Sequence, residues 1–566
     1  MDLTTALPED KAMSDNHWRL VQDFRDALYN EKMETCIRCQ ERWFDMRLNA
    51  DICHRCRKTR DTPSDEIFLK SSTNDMDPGE VPVELPTLSQ TEEMLIARAH
   101  VHLEAKRIRG LQYQYTGHTV CFMNNTSKLY YKLPLLPQHL DVFLLRPKQT
   151  NNSQSRRQFV KDFKVKRSNI LAWLHYLKRF NLAYRDISID YESASQLPED
   201  GDVLDQIATI DDENVTDDTL DSGPLDAIEN ELPPPISGVV PDILIEQSER
   251  DLLMSELNAQ KQQLTMPSFR STPLDEDNGY MLYSMAFPTL FPKGMADIAN
   301  PRRRKVNLKA WAQHLLRHKD SRFGSHPRFR YMVFNQIMRQ RVGNTSRWFV
   351  KKSGDEKRLN IDGLRELMEQ ESSNQSSLLN RIYRYGGSLL GTRSFWNSKR
   401  RHLEAYARNL GCRILFFTFS AADMQWHDLQ RHMPRFDEYL TGDLARKRRI
   451  VRENIQNQPH IAAAWFVRRF EIFREKVLKP LLGYDDSWFR YEWQSRGSVH
   501  SHGICWYLML LMLICLRSRR EVYLLRFGAS LSLRSIQIPI VLRIICILLA
   551  SLQSSYLIRW IASRHV

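Results

Sequence analysis

Apolar positions in this 566-residue chain follow two kinds of pattern. Several stretches carry the 3.6-residue spacing of an amphipathic helix. Between Pro459 and Leu482, the residues Ile461, Trp465, Phe466, Phe470, Phe473 and Val477 share one side. Ile170, Trp173, Leu174 and Leu177 do the same over Ser168–Phe180, and Leu95, Ile96, Ala99 and Leu103 over Thr91–Arg107. A further helix is expected over Trp18–Leu28. Asn300–Lys319 interleaves Val306, Leu308, Trp311, Leu315 and Leu316 with seven Lys or Arg residues, which predicts a basic amphipathic helix. The second pattern is the short, bounded, aromatic run. Arg413–Ser420 reads as a buried strand, Arg490–Gly503 as a hairpin-like strand pair, and shorter strands are expected near Thr119–Phe122 and Val142–Leu145. The chain is therefore expected to be α+β and multidomain.

Charge divides the chain. The net charge is +13, yet Glu192–Glu249 holds seventeen acidic residues and no Lys or Arg, so the remainder carries about +30. Such an excess suits a polyanion partner. The acidic stretch, poor in aromatics and without basic partners, is expected to be a disordered linker over 191–266. It separates a mixed α/β module at 85–190 from a large domain at 267–506. From 507 to 566 the composition changes abruptly, with Glu521 the one acidic residue and no lysine. The apolar runs there are too short or too interrupted for a membrane span, and a frame-shifted tail is expected. No membrane partner is expected.

Cysteine spacing adds chemistry. Cys36-x2-Cys39 and Cys53-x2-Cys56, separated by thirteen residues, suit a tetrahedral Zn²⁺ held by four thiolates in a module at 15–60. A unit so small draws most of its folding free energy from the metal. Arg42, Arg55, Arg57 and Lys58 on this module, with Trp43 and Phe44, suit phosphate contact and base stacking. Arg302, Arg303, Arg304 and Lys305 form a second basic cluster that fits phosphate or a nuclear address. Cys121, Cys412, Cys505, Cys515 and Cys546 show no ligand spacing.

The densest signal is Arg490–Gly503, with His500 and His502 one residue apart. On a strand both imidazoles point the same way and can share one divalent cation. The words FFTFSAADMQW at 416–426 and RYEWQSRGSVHSHG at 490–503 resemble the replication-initiator (HUH) endonuclease domain of Helitron transposases. AFPTLFPKG at 286–294, WAQHLL at 311–316 and HPRFR at 326–330 are similar to its helicase-like N-terminal region. The resemblance spans about 267–506 and, more loosely, 85–150, through Gly117-His118 and Leu133-Pro134.

The resemblance implies a domain with a central antiparallel sheet flanked by helices. It implies metal-dependent cleavage of single-stranded transposon ends by a tyrosine in rolling-circle transposition. His500 and His502 then bind Mg²⁺ or Mn²⁺, with a third ligand from Gln494 or Glu492, whose Cβ directions coincide; Gln494 is preferred. Arg496 lies close to bound DNA. The family's nucleophilic tyrosines lie beyond the histidines, and Tyr507, Tyr523 and Tyr556 lack that context, so none is assigned. No G-x-x-x-x-G-K-[ST] motif follows. The expectation is a truncated, inactive transposase fragment that binds single-stranded DNA, uses no small-molecule cofactor, and works in the nucleus of a eukaryotic host, or otherwise inside the cell. A full-length transposase supplying the missing parts in trans fits this reading. The alternative is a non-catalytic, zinc-dependent nucleic-acid-binding protein.

Overall fold

The computed structural model describes residues 15–58, 67–100, 105–108, 112–115, 129–140, 144–147, 163–207, 209–212, 280–352, 387, 393–410, 414–493 and 498–506. Two compact units emerge: a sheet unit drawn from Met1–Lys32, Asn230–Lys261 and Met338–Val566, and a cysteine unit drawn from Met33–Glu229 and Gln262–Ile337. The architecture is α+β.

In the sheet unit, α1 (Asp15–Asn30) is followed after a long interval by α2 (Arg393–Leu410) and strand β1 (Ile414–Ser420). Helices α3 (Phe436–Thr441), α4 (Leu444–Asn457) and α5 (Pro459–Phe473) come next, then β2 (Asp486–Trp493) and β3 (Val499–Trp506). The expected helix over Pro459–Leu482 is present, continuing beyond α5 through a π turn at Arg474–Leu478 and a last turn at Lys479–Leu482. All three strands are antiparallel and β3, buried along its whole length, is central. The register sets Thr418 and Arg490 beside His502, and Ser420 and Glu492 beside His500.

Because strand side chains alternate, the sheet has two distinct faces. One presents Phe417, Phe419, Phe489 and Tyr491 to α5, where Phe470 meets Phe419 and Phe489 at ring separations of 5.2 and 5.0 Å. Phe24 of α1 joins this aromatic layer through Phe473, 5.4 Å away. The other face carries Phe416, Trp488, Ile504 and Trp506 under Leu403 of α2, and beyond them the two histidines.

The cysteine unit has one large core. Leu95, Ile96, Leu133, Ile170, Trp173, Tyr184, Phe287, Phe291, Trp311 and Phe329 all contribute to it. Helix Arg167–Phe180 buries its predicted stripe. The Thr91–Arg107 helix is shorter than its pattern: it spans Gln90–Ile96, Ala97 turns extended, and Ala105–Ile108 is a strand. The basic helix narrows to Leu308–Leu315, capped by Asn307. A strand at Leu144–Pro147 lies at the Val142–Leu145 position, while Thr119–Phe122 is outside the described residues.

The start of the acidic stretch is folded. Tyr191–Gln196 is helical, Gly201–Asp202 pairs with Lys164–Val165, and Thr209–Asp212 pairs in parallel with Leu144–Pro147. Leu197, Val203 and Ile207 are buried in the core. Asp200 is answered by Lys164 at 2.8 Å and Lys166 at 3.1 Å, so the carboxylates here do have basic partners. Residues 213–266 lie outside the described residues, as does the 507–566 tail. No described helix is long and apolar enough to cross a membrane.

Candidate metal centres

At one end of the sheet, three donors meet. His500 Nε2 lies 2.6 Å and His502 Nε2 2.7 Å from Glu492 Oε1, and the two nitrogens stand 3.0 Å apart. Adjacent ligands of an octahedral ion at about 2.1 Å are separated by about 3 Å, so the triangle matches one face of such a coordination sphere. His502 Nδ1 lies 3.0 Å from Thr418 Oγ1. With the proton on Nδ1 donated to that hydroxyl, Nε2 is left as a lone-pair donor. Burial works against ionisation of Glu492, but its pairing with His500 and His502 overcomes it and holds the carboxyl well below the usual range. Arg490 stands 3.7 Å from Glu492 Oε2 and stacks on Trp396 at 3.9 Å.

The sequence left Glu492 and Gln494 open and preferred Gln494. Glu492 is the residue found with the histidines among the described residues, and both Gln494 and Arg496 lie outside them. A supporting contact escaped the sequence reading. Asp423, nearly buried, accepts a 3.0 Å hydrogen bond from Ser498 Oγ, linking the segment after β1 to the start of β3. Trp426 of the same motif is core, stacked on Phe466. Tyr491 faces away from the triad, edge-on to Phe466 and Phe470, and burial pushes its hydroxyl up to about 12.

The four predicted thiols also converge. Cys36, Cys39, Cys53 and Cys56 place their sulfurs within 4.8 Å of one another. The sulfurs of a tetrahedral zinc site, bound at about 2.3 Å, stand about 3.8 Å apart. Gln40, in the left-handed region, closes the first knuckle by donating its N–H to Cys36 O, and the Cys53 N–H reaches Cys36 Sγ at 3.3 Å. Hydrogen bonds among the thiols pull Cys53 far below its ordinary range and push Cys39 far above it. Four thiols converging at this spacing suit a soft cation.

This module is bound into the cysteine unit by a buried carboxylate. Glu41 accepts from Lys70 at 2.8 Å and Arg55 at 3.3 Å, and lies 3.1 Å from His314 Nδ1. Arg42 N–H donates to Arg317 O, while Arg317 lies over the Trp43 ring. Trp43 and Phe44 thus serve the core, and Arg55 is engaged with Glu41. Arg57 donates to Arg47 O, while Arg57 and Lys58 remain exposed. In the second basic cluster, the Arg302 guanidinium is spent on the carbonyls of Asp75, Asp297, Ile298 and Asn300. Arg304 reaches Ile67 O. Arg302 is therefore a structural clamp, whereas Arg303 and Lys305 are exposed.

Sequence reading also missed a basic run at 446–452 on α4. Its signal was plain enough: Arg446, Lys447, Arg448, Arg449 and Arg452 within seven positions.

This α+β chain thus holds, among its described residues, two donor sets of a kind that could bind cations, one imidazole–carboxylate and one all-thiol. Residues 311–505 match the family described as the Helitron helicase-like domain at the N-terminus, and residues 64–195 match DUF6570, a domain of unknown function. Residues 311–505 are thus similar to a Helitron helicase-like domain, and that likeness implies interaction with nucleic acid. The imidazole–carboxylate site lies within the first match, and the four cysteines lie outside both. No curated protein and no solved structure matches the chain.

Proposed function

We propose that this is a Helitron-type transposon protein that grips single-stranded DNA and holds a divalent cation of the HUH kind at Glu492, His500 and His502. The observation carrying this reading is the triangle of three donors within 3.0 Å on one face of a central strand. Mg²⁺ or Mn²⁺ bound there would polarise a scissile phosphate and offset charge on the pentavalent transition state. The chain's own groups do the rest. Thr418 orients the His502 ring, Asp423 and Ser498 fix the start of β3, and Arg490 adds positive charge beside the carboxylate. Zn²⁺ on the four cysteines is structural in this reading, and Arg303, Lys305, Arg57 and Lys58 contact phosphate.

Tyr491 points to the opposite face, and Tyr507, Tyr523 and Tyr556 lie outside the described residues. We therefore assign no nucleophile. Strand cleavage by this protein would draw its tyrosine from one of these, or from a transposase copy acting in trans on transposon ends in the nucleus of a eukaryotic host. The test is Mn²⁺ titration by calorimetry, alongside a search for a covalent adduct with single-stranded oligonucleotides. His500→Ala and Glu492→Gln should each weaken Mn²⁺ binding at least tenfold while retaining DNA binding. Unchanged Mn²⁺ affinity in both variants would refute the site.

A further inference from the structure

A cleft of about 480 Å³ opens in the sheet unit between α1 and the segment that follows β1. Neither its chemistry nor its position belongs to the metal triad. Its walls pair flat rings with cations. Tyr29, 71% exposed, lines it with Arg431 stacked 4.6 Å from its ring centre, together with half-buried Phe436 and the mostly buried Tyr439. Four cationic side chains, Arg25, Arg431, Lys447 and Arg469, line it against a single carboxylate, Asp428, which is already paired with Arg469. Arg25 and Lys447 have no carboxylate partner among the described residues.

From the rim, α4 continues outward. Two of the nearby arginines are neutralised, Arg435 by Glu438 and Glu453, and Arg446 by Glu438. Arg448, Arg449 and Arg452 remain exposed on one side of the helix. A cleft lined by rings and cations, on a helix that also carries exposed arginines, is a complement to one nucleotide with its neighbours: the base stacks on a ring, and the backbone follows the cations.

We infer that this cleft takes a single unpaired base from single-stranded DNA, inserted among Tyr29, Phe436 and Tyr439, with its flanking phosphates on Lys447 and the exposed arginines of α4. The inference rests on the reading of the chain as a single-strand-binding protein and adds a subsite to it. It also gives α1 a role, although this helix precedes both matched regions. An acidic protein segment would satisfy the cations but leave the rings without a partner, so the base is the better occupant.

The experiment is fluorescence anisotropy of the full chain with a twelve-nucleotide single strand and with versions carrying one abasic site at each position in turn. One abasic position should weaken binding about tenfold, the loss expected when a single base no longer stacks. Tyr29→Ala and Phe436→Ala should weaken the intact strand similarly and become indifferent to the abasic position. Tyr29 is exposed, so its variant keeps the test sound where Phe436→Ala disturbs folding. Lys447→Gln should lower the slope of log affinity against log salt by about one. Equal affinity for every abasic oligonucleotide, wild-type affinity in Tyr29→Ala, or displacement of the strand by a hexaglutamate peptide at lower concentration than by unlabelled strand, would each overturn the subsite while leaving single-strand binding intact. Absence of any single-strand binding would instead remove the broader reading, and the subsite with it.

Discussion

Phe489 lies across Gly503 so closely that a Cβ at Gly503 would stand 2.1 Å from two of its ring carbons. The two residues are register partners on β2 and β3, and Phe470 packs against the ring at 5.0 Å, so Phe489 has nowhere to retreat. Gly503→Ala should cost about 1–3 kcal/mol, as overpacking of a filled core does. Thermal unfolding would show it, with Phe489→Leu recovering part of the loss in the double variant. A Gly503→Ala protein as stable as wild type would contradict this packing.

Zinc removal should unfold more than a knuckle. Gln40, Asp45, Arg47, Ala50 and Asp51 all occupy the left-handed region without being glycine, so the module needs an external hold on its backbone. A strong chelator, or Cys39→Ala, should expose 33–58 to protease and lower the melting temperature of the whole cysteine unit through Glu41. Proteolysis confined to the module, with unchanged melting elsewhere, would argue against that coupling.

Glu93 makes the cysteine unit acid-sensitive. Burial opposes its charge, but the positive charge of His326 and hydrogen bonds from it, together with Arg328, outweigh that and bring its carboxyl down to about 2 from an ordinary 4.5. A depressed carboxylate stabilises the fold above its unfolded value and loses that contribution as pH falls toward its folded value. Stability should therefore drop by on the order of 2–3 kcal/mol between pH 4.5 and 2. In Glu93→Gln, stability at pH 7 should be lower and its fall over that range shallower, as denaturant melts at stepped pH would report. Parallel curves for the two proteins would sink the assignment.

Arg302 and Arg303 should separate sharply. Truncating Arg302 to Ala strips the donors from four carbonyls and should cost about 2–4 kcal/mol of stability. Arg303→Ala should leave stability alone and lower the salt slope of DNA binding by about one. Melting and anisotropy on the same two proteins decide it, and a reversal of the two phenotypes would refute the division.

What the chain disclosed in advance follows its physics. Helices such as Arg167–Phe180 and Pro459–Phe473 were legible because each buries one continuous stripe. The four cysteines were legible because metal geometry restricts spacing. The folded segment 191–212 was not, because its many carboxylates concealed three core residues, Leu197, Val203 and Ile207, and its countercharges lie some 30–40 residues away at Lys164 and Lys166. Glu492 could not be chosen over Gln494 from sequence, since the strand pleat aims both at the same side. Arg302 looked like a DNA contact because a run of arginines gives no sign of which one turns inward.

The alternation of β3 has an outcome for variation in this protein. His500 and His502 lie on the face that carries the candidate cation site, while Ser501 and Gly503, one step along, serve the packed face against α5. Chemistry and foldedness are thus interleaved at single-residue resolution. Substitution at His500 or His502 therefore removes donors of the candidate cation site without opening a packed layer, whereas substitution at Ser501 or Gly503, or further along at Ile504 or Trp506, disturbs the core.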